Sequence, residues 1–283
     1  DSNDGSASSP WRTIGYAESV VSAGTTVIVR PGNYGNLSID NSGGEETPIV
    51  FISEIRNAAQ LGTVTISADH IVLQDFEIES ENDNAGVLLS SGNNITITGN
   101  YIHHCGGGGI RTTPDTANIT IDHNVLYRNA GVGINLSGTD ALVEDNQILG
   151  MVSYLPGKSV HGGDGDGFLL QGNNHVIRSN TIADMVDPEA TEFFLEGHTP
   201  HIDCFQVNTV YNASVDYEPL TNTVIEGNHC WSNNFNRAFL LETYVGGRTS
   251  HDIIIRENVF EFLGTGLIMR DREEGYDMSG DER

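Results

Sequence analysis

Apolar and polar residues alternate along this chain in short runs, and the runs return at a nearly fixed spacing. The phrase reads ITITGNYI at 95–102, ITIDHNVL at 119–126, ALVEDNQI at 141–148, HVIRSNTI at 175–182, TVIEGNHC at 223–230 and IIIRENVF at 253–260. Each copy holds an Asn followed two places on by an apolar residue. An earlier copy, HIVLQDFEI at 70–78, reads with Asp75 in the Asn place. Asp75, Asn100, Asn124 and Asn146 are 25, 24 and 22 residues apart. A period in that range marks a repeat architecture.

A second marker follows the Asn in most periods: GIRT at 109–112, GINL at 133–136, GFLL at 167–170 and FLLE at 239–242. Alternation of period two belongs to strands with one buried face. Gly, Asn, Asp and Ser, the turn formers, lie between the runs. No ten-residue helical stripe separates Asn100 from Asn146, so helical crossovers are excluded. Coils of about 23 residues, stacked about 4.8 Å apart, satisfy period and pattern together. The sequence therefore predicts an all-β, single-stranded right-handed parallel β-helix. In it the recurring Asn stacks inward at a bend and bonds along the axis as a ladder. A β-sandwich with Asn-rich turns does not explain Asn at one fixed place. Residues 14–21 read as a short helix, and an open β-helix end needs such a cap over its strand edges. The expectation is one domain over 1–283, with the cap in about the first 24 residues. The chain turns polar after 264–271 with no matching cap, as a piece of a longer protein would.

Composition narrows the partners. No apolar stretch reaches the length of a membrane span. Net charge is −26, and the 13 basic residues are 12 Arg and Lys158. This argues against nucleic acid and anionic membranes as partners. It also repels an acidic polymer unless cations or local Arg intervene. The polar opening DSNDGSASSP reads as the start of a mature secreted protein, so an extracellular location is expected. Cys105, Cys204 and Cys230 lack metal-ligand spacing, and Cys105 lies coils away from the others, so core thiols are expected.

The repeat is interrupted in an ordered way. From the Asn to the next marker strand takes 10 residues twice, then 22 (Asn146 to Phe168) and 25 (Asn180 to Phe205). On the other side, 12 residues become 23 (Phe205 to Asn228) and 19 (Phe239 to Asn258). Insertions at about 149–163, 183–200, 209–222 and 243–251 thus leave both ends of one strand column in consecutive coils. Insertions on one face of a solenoid mark its binding face, and a flanked sheet makes a groove suited to a linear polymer.

With Ile110, Ile134, Phe168, Phe205, Phe239 and Leu267 in one inward column, the position two upstream reads Gly108, Val132, Asp166, Asp203, Arg237 and Thr265. Asp166 and Asp203 then stand about 5 Å apart, with Arg237 on the next rung and Asp164 and His201 alongside. Two carboxylates so close do not both ionise without a cation or Arg between them. Three arrangements are open. The aspartates Asp164, Asp166 and Asp203 hold Ca²⁺. Or Asp166 and Asp203 form a catalytic pair, as carboxylates about 5 Å apart do in retaining glycosidases. Or they cap turn amides. Arg111, Gln206, Glu242 and Arg270, on or near the outward positions of the same strands, are candidate subsite residues, with Tyr244 in the last insertion. Lys158, in the first insertion, is a candidate base. His103, His104, Tyr127, Arg128 and Trp231 read as surface or packing residues on another edge, and the N-x-S/T sequons as by-products of the repeat.

The segment SNDGSASSPWRTIGYAESVVSAGTTVIVRPGNYG, with the N-x-I repeats after it, resembles the start of secreted right-handed β-helix proteins. There a P-W/F-x-T-I cap leads into a T-V-x-V-R-x-G-x-Y strand. The resemblance implies polysaccharide-active proteins: lyases of uronic-acid polymers, glycoside hydrolases or non-catalytic binding modules. The GHG and R-x-K pattern of polygalacturonases is absent. The expected function is an extracellular lyase acting on a linear uronic-acid polysaccharide. Ca²⁺ on the Asp cluster would neutralise the uronate, Arg237 or Lys158 would take the proton, and His201 would serve as acid. Hydrolysis by the Asp166/Asp203 pair and binding without turnover are the alternatives.

Overall fold

The computed structural model describes residues 2–80, 83–158, 164–185, 202–207, 218–232, 237–242, 244–245, 248–261 and 265–270. The chain coils through three parallel sheets. Sheet 1 runs from Thr26–Val29 through Gly92–Thr98 and Thr116–Asp122 to Leu220–Glu226 and His251–Arg256. Sheet 2 runs from Gly32–Asn33 through Tyr101–His103 to His229–Trp231 and Val259–Glu261. Sheet 3 runs from Leu37–Ile39 through Ile110–Thr112 and Phe168–Leu170 to Asp203–Val207, Arg237–Glu242 and Thr265–Arg270. Among the described residues, sheets 2 and 3 each hold nine strands. Three-residue strands with buried ends and a more accessible middle, such as Leu37–Ile39 and Ile110–Thr112, send two side chains inward and one outward. The inward side chains make one continuous core from Ile14 to Leu241. Helix Ile14–Val20, its N-terminus capped by the Thr13 side chain, buries Ile14 and Ala17 against the first coil.

The Asn ladder lies at the bend between sheets 1 and 2. Asn100, Asn124, Asn146, Asn180 and Asn228 each donate an Nδ2 hydrogen to Oδ1 of the next, ending at Asn258, over 2.9–3.1 Å. Each backbone N–H bonds to the same Oδ1. One alignment is corrected. Tyr101 pairs with Glu77, so Asn100 stands over Phe76 rather than Asp75. Phe76 ends the ladder as a fully buried ring whose N–H bonds to Asn100 Oδ1. Asp75 instead belongs with Gly99, His123, Asp145, Ser179, Gly227 and Glu257, all at positive φ just before the ladder position. The bend needs that left-handed residue, and it is the reason polar residues and Gly precede each ladder position.

The cysteine expectation is corrected too. Gly86, Gly109, Gly133 and Gly167 each precede a sheet 3 strand. A Cβ on any of them would lie within 2.8 Å of Ile102, Leu126, Ile148 or Ile182 in the following coil. In the next coil Cys204 takes the glycine place and Cys230, which pairs with Ile182, takes the apolar place. There the two side chains are joined as a disulfide, Cα–Cα 6.3 Å. Cys105 remains a buried thiol, pushed up to about 12 by desolvation.

His175 ties the turn before sheet 1 in one protonation state. Its Nδ1 accepts from Ala141 N–H and its Nε2–H donates to Gln171 O, so a second proton would face a donor. Burial lowers its pKa from 6.5 to about 4. An imidazole with a lowered folded pKa contributes stability above its unfolded pKa and loses it as pH falls through the folded value. Between pH 6.5 and 4 the loss should approach ~3 kcal/mol, read as a falling urea midpoint that flattens in His175→Gln.

Candidate functional site

In sheet 3, Phe168 pairs with Phe205, Phe205 with Phe239 and Phe239 with Leu267. The first three rings stack at 5.1 and 5.5 Å. Asp203 pairs with Arg237 and Arg237 with Thr265, so the charged column also exists as a column. Asp203 N–H donates to Asp166 Oδ1 at 2.7 Å, and Arg237 Nη1 donates to Asp203 Oδ2 at 3.1 Å. Asp166, Asp203 and Arg237 therefore meet, as expected.

Their exposure is not as expected. Two residues upstream of an inward Phe is again an inward position, because strand side chains alternate. Asp166 is 1 % exposed and Asp203 is fully buried. An acid/base pair that flanks a glycosidic bond needs more accessible carboxylates than these. Burial first, then the charges of Asp203 and Asp164, push Asp166 well above the usual carboxylate range. Both effects favour the protonated form of Asp166, while Asp203 has the Arg237 guanidinium beside it. The Arg237 side chain is 15 % exposed, against 0 % for Asp203, so the pair is fully buried at its anion and mostly buried at its cation.

Of the expected calcium ligands Asp164, Asp166 and Asp203, the last two hold protein hydrogens. Asp203 gives an oxygen to Arg237, and Asp166 gives one to a backbone N–H. Calcium takes six to eight oxygens, and among the described residues no three His, Cys, Asp or Glu side chains converge. The charge of half-buried Asp164 is one of the causes that raise Asp166.

The outward column of sheet 3 runs in register through Leu88, Arg111, Asn135, Leu169, Gln206 and Leu240. Arg111 is exposed and Asn135 and Leu169 are half-buried, whereas Gln206 and Leu240 are buried. The floor is accessible at its Arg111 end and covered at Gln206, which corrects Gln206 as an open subsite residue. Glu242, Tyr244 and Arg270 lie in described backbone, but their side chains fall outside the described residues, as does His201 entirely.

The model of the right-handed β-helix region matches residues 36–184. The chain belongs to the right-handed β-helix family. Its likeness to an uncharacterized protein, YwoF of Bacillus subtilis (strain 168), is 28 % identity over 201 residues, covering 64 % of this chain and 40 % of that one. The chain thus spans about two fifths of that relative. Among solved structures, this β-helix superposes on pectate lyase Pel9A with a TM-score of 0.58 at 13 % identity, covering 99 % of this chain and 79 % of the lyase. An alginate lyase from Paenibacillus sp. str. FPU-7 gives 0.53 at 14 %, covering 90 % and 96 %. The GH136 lacto-N-biosidase from Eubacterium ramulus gives 0.61 at 12 %, covering 90 % and 53 %. At these identities the likeness is one of fold.

In this β-helix Lys158 does not reach the Asp network. The first insertion packs Val152 and Leu155 on Ala130, then carries Lys158 back along the axis. Its Nζ donates to Ser80 O at 2.7 Å and to His104 O, with Glu79 Oε1 at 3.6 Å. Three acceptors match the three hydrogens of an ammonium. Lys158 as a groove base is corrected: it is a strap.

Lys158 ends in a cluster on the outside of sheet 2. His103 Nε2 lies 3.0 Å from Glu77 Oε1, and His103 Nδ1 lies 2.9 Å from His104 Nδ1. An ionised carboxylate only accepts, so His103 gives its Nε2–H to Glu77 and accepts the Nδ1–H of His104. Burial first, then the neighbouring His103, Lys158 and Arg128, lower the His104 pKa. Glu77 and Glu79 had no place among the sequence candidates. The signal was present: they occupy the two positions after Phe76 that Tyr101 and His103 occupy after Asn100.

Proposed function

We propose that the chain is a carbohydrate-active enzyme that cleaves a uronic-acid-containing polysaccharide by β-elimination on the sheet 3 face. The observation that carries this reading is Arg237, a partly accessible cation anchored on buried Asp203, in the coils where the sequence spacing places insertions on both sides. A buried charge network stabilises a fold less than apolar packing of equal volume, so its retention beneath a groove is in keeping with a positioning task. The fold likeness to pectate and alginate lyases supports the substrate class.

The roles follow from the protonation states. Asp203 holds Arg237 as a cation, which makes it a clamp for a uronate carboxylate rather than a base. Asp166, whose carboxyl burial pushes toward the protonated form, fixes the Asp203 backbone through its hydrogen bond. Clamping the carboxylate acidifies the neighbouring C5–H. A base takes that proton, the C–H electron pair becomes the C4–C5 double bond, and the C4–O bond breaks as solvent water delivers a proton to the leaving oxygen. His201 is assigned as the base, since Arg237 and Lys158 are engaged as cations. Arg111 and Arg270, both on sheet 3 strands, answer the repulsion between an acidic protein and an acidic polymer. The Cys204–Cys230 disulfide supports a secreted protein matured in an oxidising compartment.

The test incubates the chain with a panel of acidic and neutral polysaccharides, following ultraviolet absorbance of unsaturated products and reducing ends together. Elimination raises both on a uronate polymer. Reducing ends without absorbance would mean hydrolysis, and retention without either would mean a binding module.

A further inference from the structure

A second face of the molecule carries an ordered row of hydrogen-bonding side chains. On the outside of sheet 2, Asn33 pairs with Gln60, Gln60 with Glu77, and Glu77 with Tyr101. The row advances one rung, about 4.8 Å, per side chain, so an extended glycan lying along the axis would meet one new set of contacts per sugar. Its first members border a cleft of about 350 Å³ lined by Asn33, Asn36, Gln60 and Glu79. Asn33 Nδ2 donates to Gln60 Oε1 at 3.0 Å, which leaves Gln60 Nε2 as a donor for a guest. Half-buried Tyr101 lies against His103, ring centroids 4.4 Å apart, and offers an aromatic face at the far end. Amides, a carboxylate and an aromatic ring together are a lining for sugar hydroxyls and ring faces.

The cluster beyond the cleft holds this row in place. Lys158, brought back from the first insertion, sits 3.6 Å from Glu79, and His103 ties Glu77. Each glutamate therefore has a partner in the cluster while its side chain stays partly exposed.

We propose that this face is a second saccharide-binding site, for a neutral stretch of glycan, separate from the uronate-directed site on sheet 3. Gln60 and Asn33 donate to ring hydroxyls, Glu79 accepts from them, and Tyr101 stacks on a sugar face. Lys158 is a positioning residue that acts through Glu79. The proposal rests on the reading of the protein as polysaccharide-active, but not on its catalysing elimination.

Calorimetric titration of the whole chain with xylohexaose, cellohexaose, mannohexaose and hexagalacturonate tests it. At least one neutral hexasaccharide should bind, with affinity falling at least tenfold in Gln60→Ala and in Glu79→Ala. The exposed Asn33→Ala should weaken binding without touching the fold. Lys158→Met should weaken binding and Lys158→Arg restore it, whereas Arg237→Lys should leave it unchanged. No binding of any neutral hexasaccharide, or binding indifferent to Gln60→Ala, would overturn the site. So would binding lost in Arg237→Lys, which would assign it to sheet 3. Absence of elimination with this binding intact would count against the reading of sheet 3 alone.

Discussion

Arg237→Lys is expected to lower the rate of elimination on a uronate polymer by ~10²–10³-fold, the usual cost of removing one preorganised donor. Lysine keeps a positive charge beside Asp203 but loses the planar fork that grips one carboxylate while offering hydrogens to another. Arg237→Ala is the harsher change, because it leaves the fully buried Asp203 carboxylate without its ion-pair partner. Breaking a buried pair from one side costs about 3–5 kcal/mol, so this variant should lose activity and stability together. Asp166→Asn separates the two effects. Its side-chain oxygen still accepts the Asp203 N–H, and the amide mimics the neutral acid, so near-native stability is expected. Initial rates by absorbance and urea midpoints, measured on all three variants, check the pattern.

Asn146→Ala should be among the most damaging substitutions away from the groove. Asn146 Oδ1 accepts both the backbone N–H and the Nδ2 of Asn124. Its own Nδ2 donates to Ile121 O and to Asn180 Oδ1. All of this is buried, so truncation leaves several polar groups unsatisfied, each at about 1–3 kcal/mol. A total loss of about 3–5 kcal/mol is expected by urea denaturation. Asn258 ends the ladder among the described residues and is half-buried. Asn258→Ala should cost about 1 kcal/mol, and equal losses at both positions would show that the ladder is not a chain of buried bonds.

The fold was legible because one physical constraint, stacking, writes itself into the sequence at every rung. Alternation fixed which residues face inward, and the recurring Asn marked the bend. The missed points are places where a column was read one step short. Asp75 was taken for a ladder residue because it is polar like Asn, although the pairing of Glu77 with Tyr101 gives that place to Phe76. Cys204 and Cys230 stand in the glycine and apolar columns, and recognising both would have revealed the disulfide. Asp166 and Asp203 read as a metal or catalytic cluster in the sequence, although their parity with Phe168 and Phe205 sends them inward. The path of Lys158 was not legible at all. An insertion is free of the repeat, and nothing in its own residues states that it turns back to Ser80 and His104.

The most direct measurement is a crystal structure of the chain bound to a uronate hexasaccharide. The account predicts the oligosaccharide on sheet 3, with one sugar carboxylate within hydrogen-bond distance of the Arg237 guanidinium while Asp203 holds its other side. An oligosaccharide seated on another face, or on sheet 3 with Arg237 turned away from every carboxylate, would contradict it.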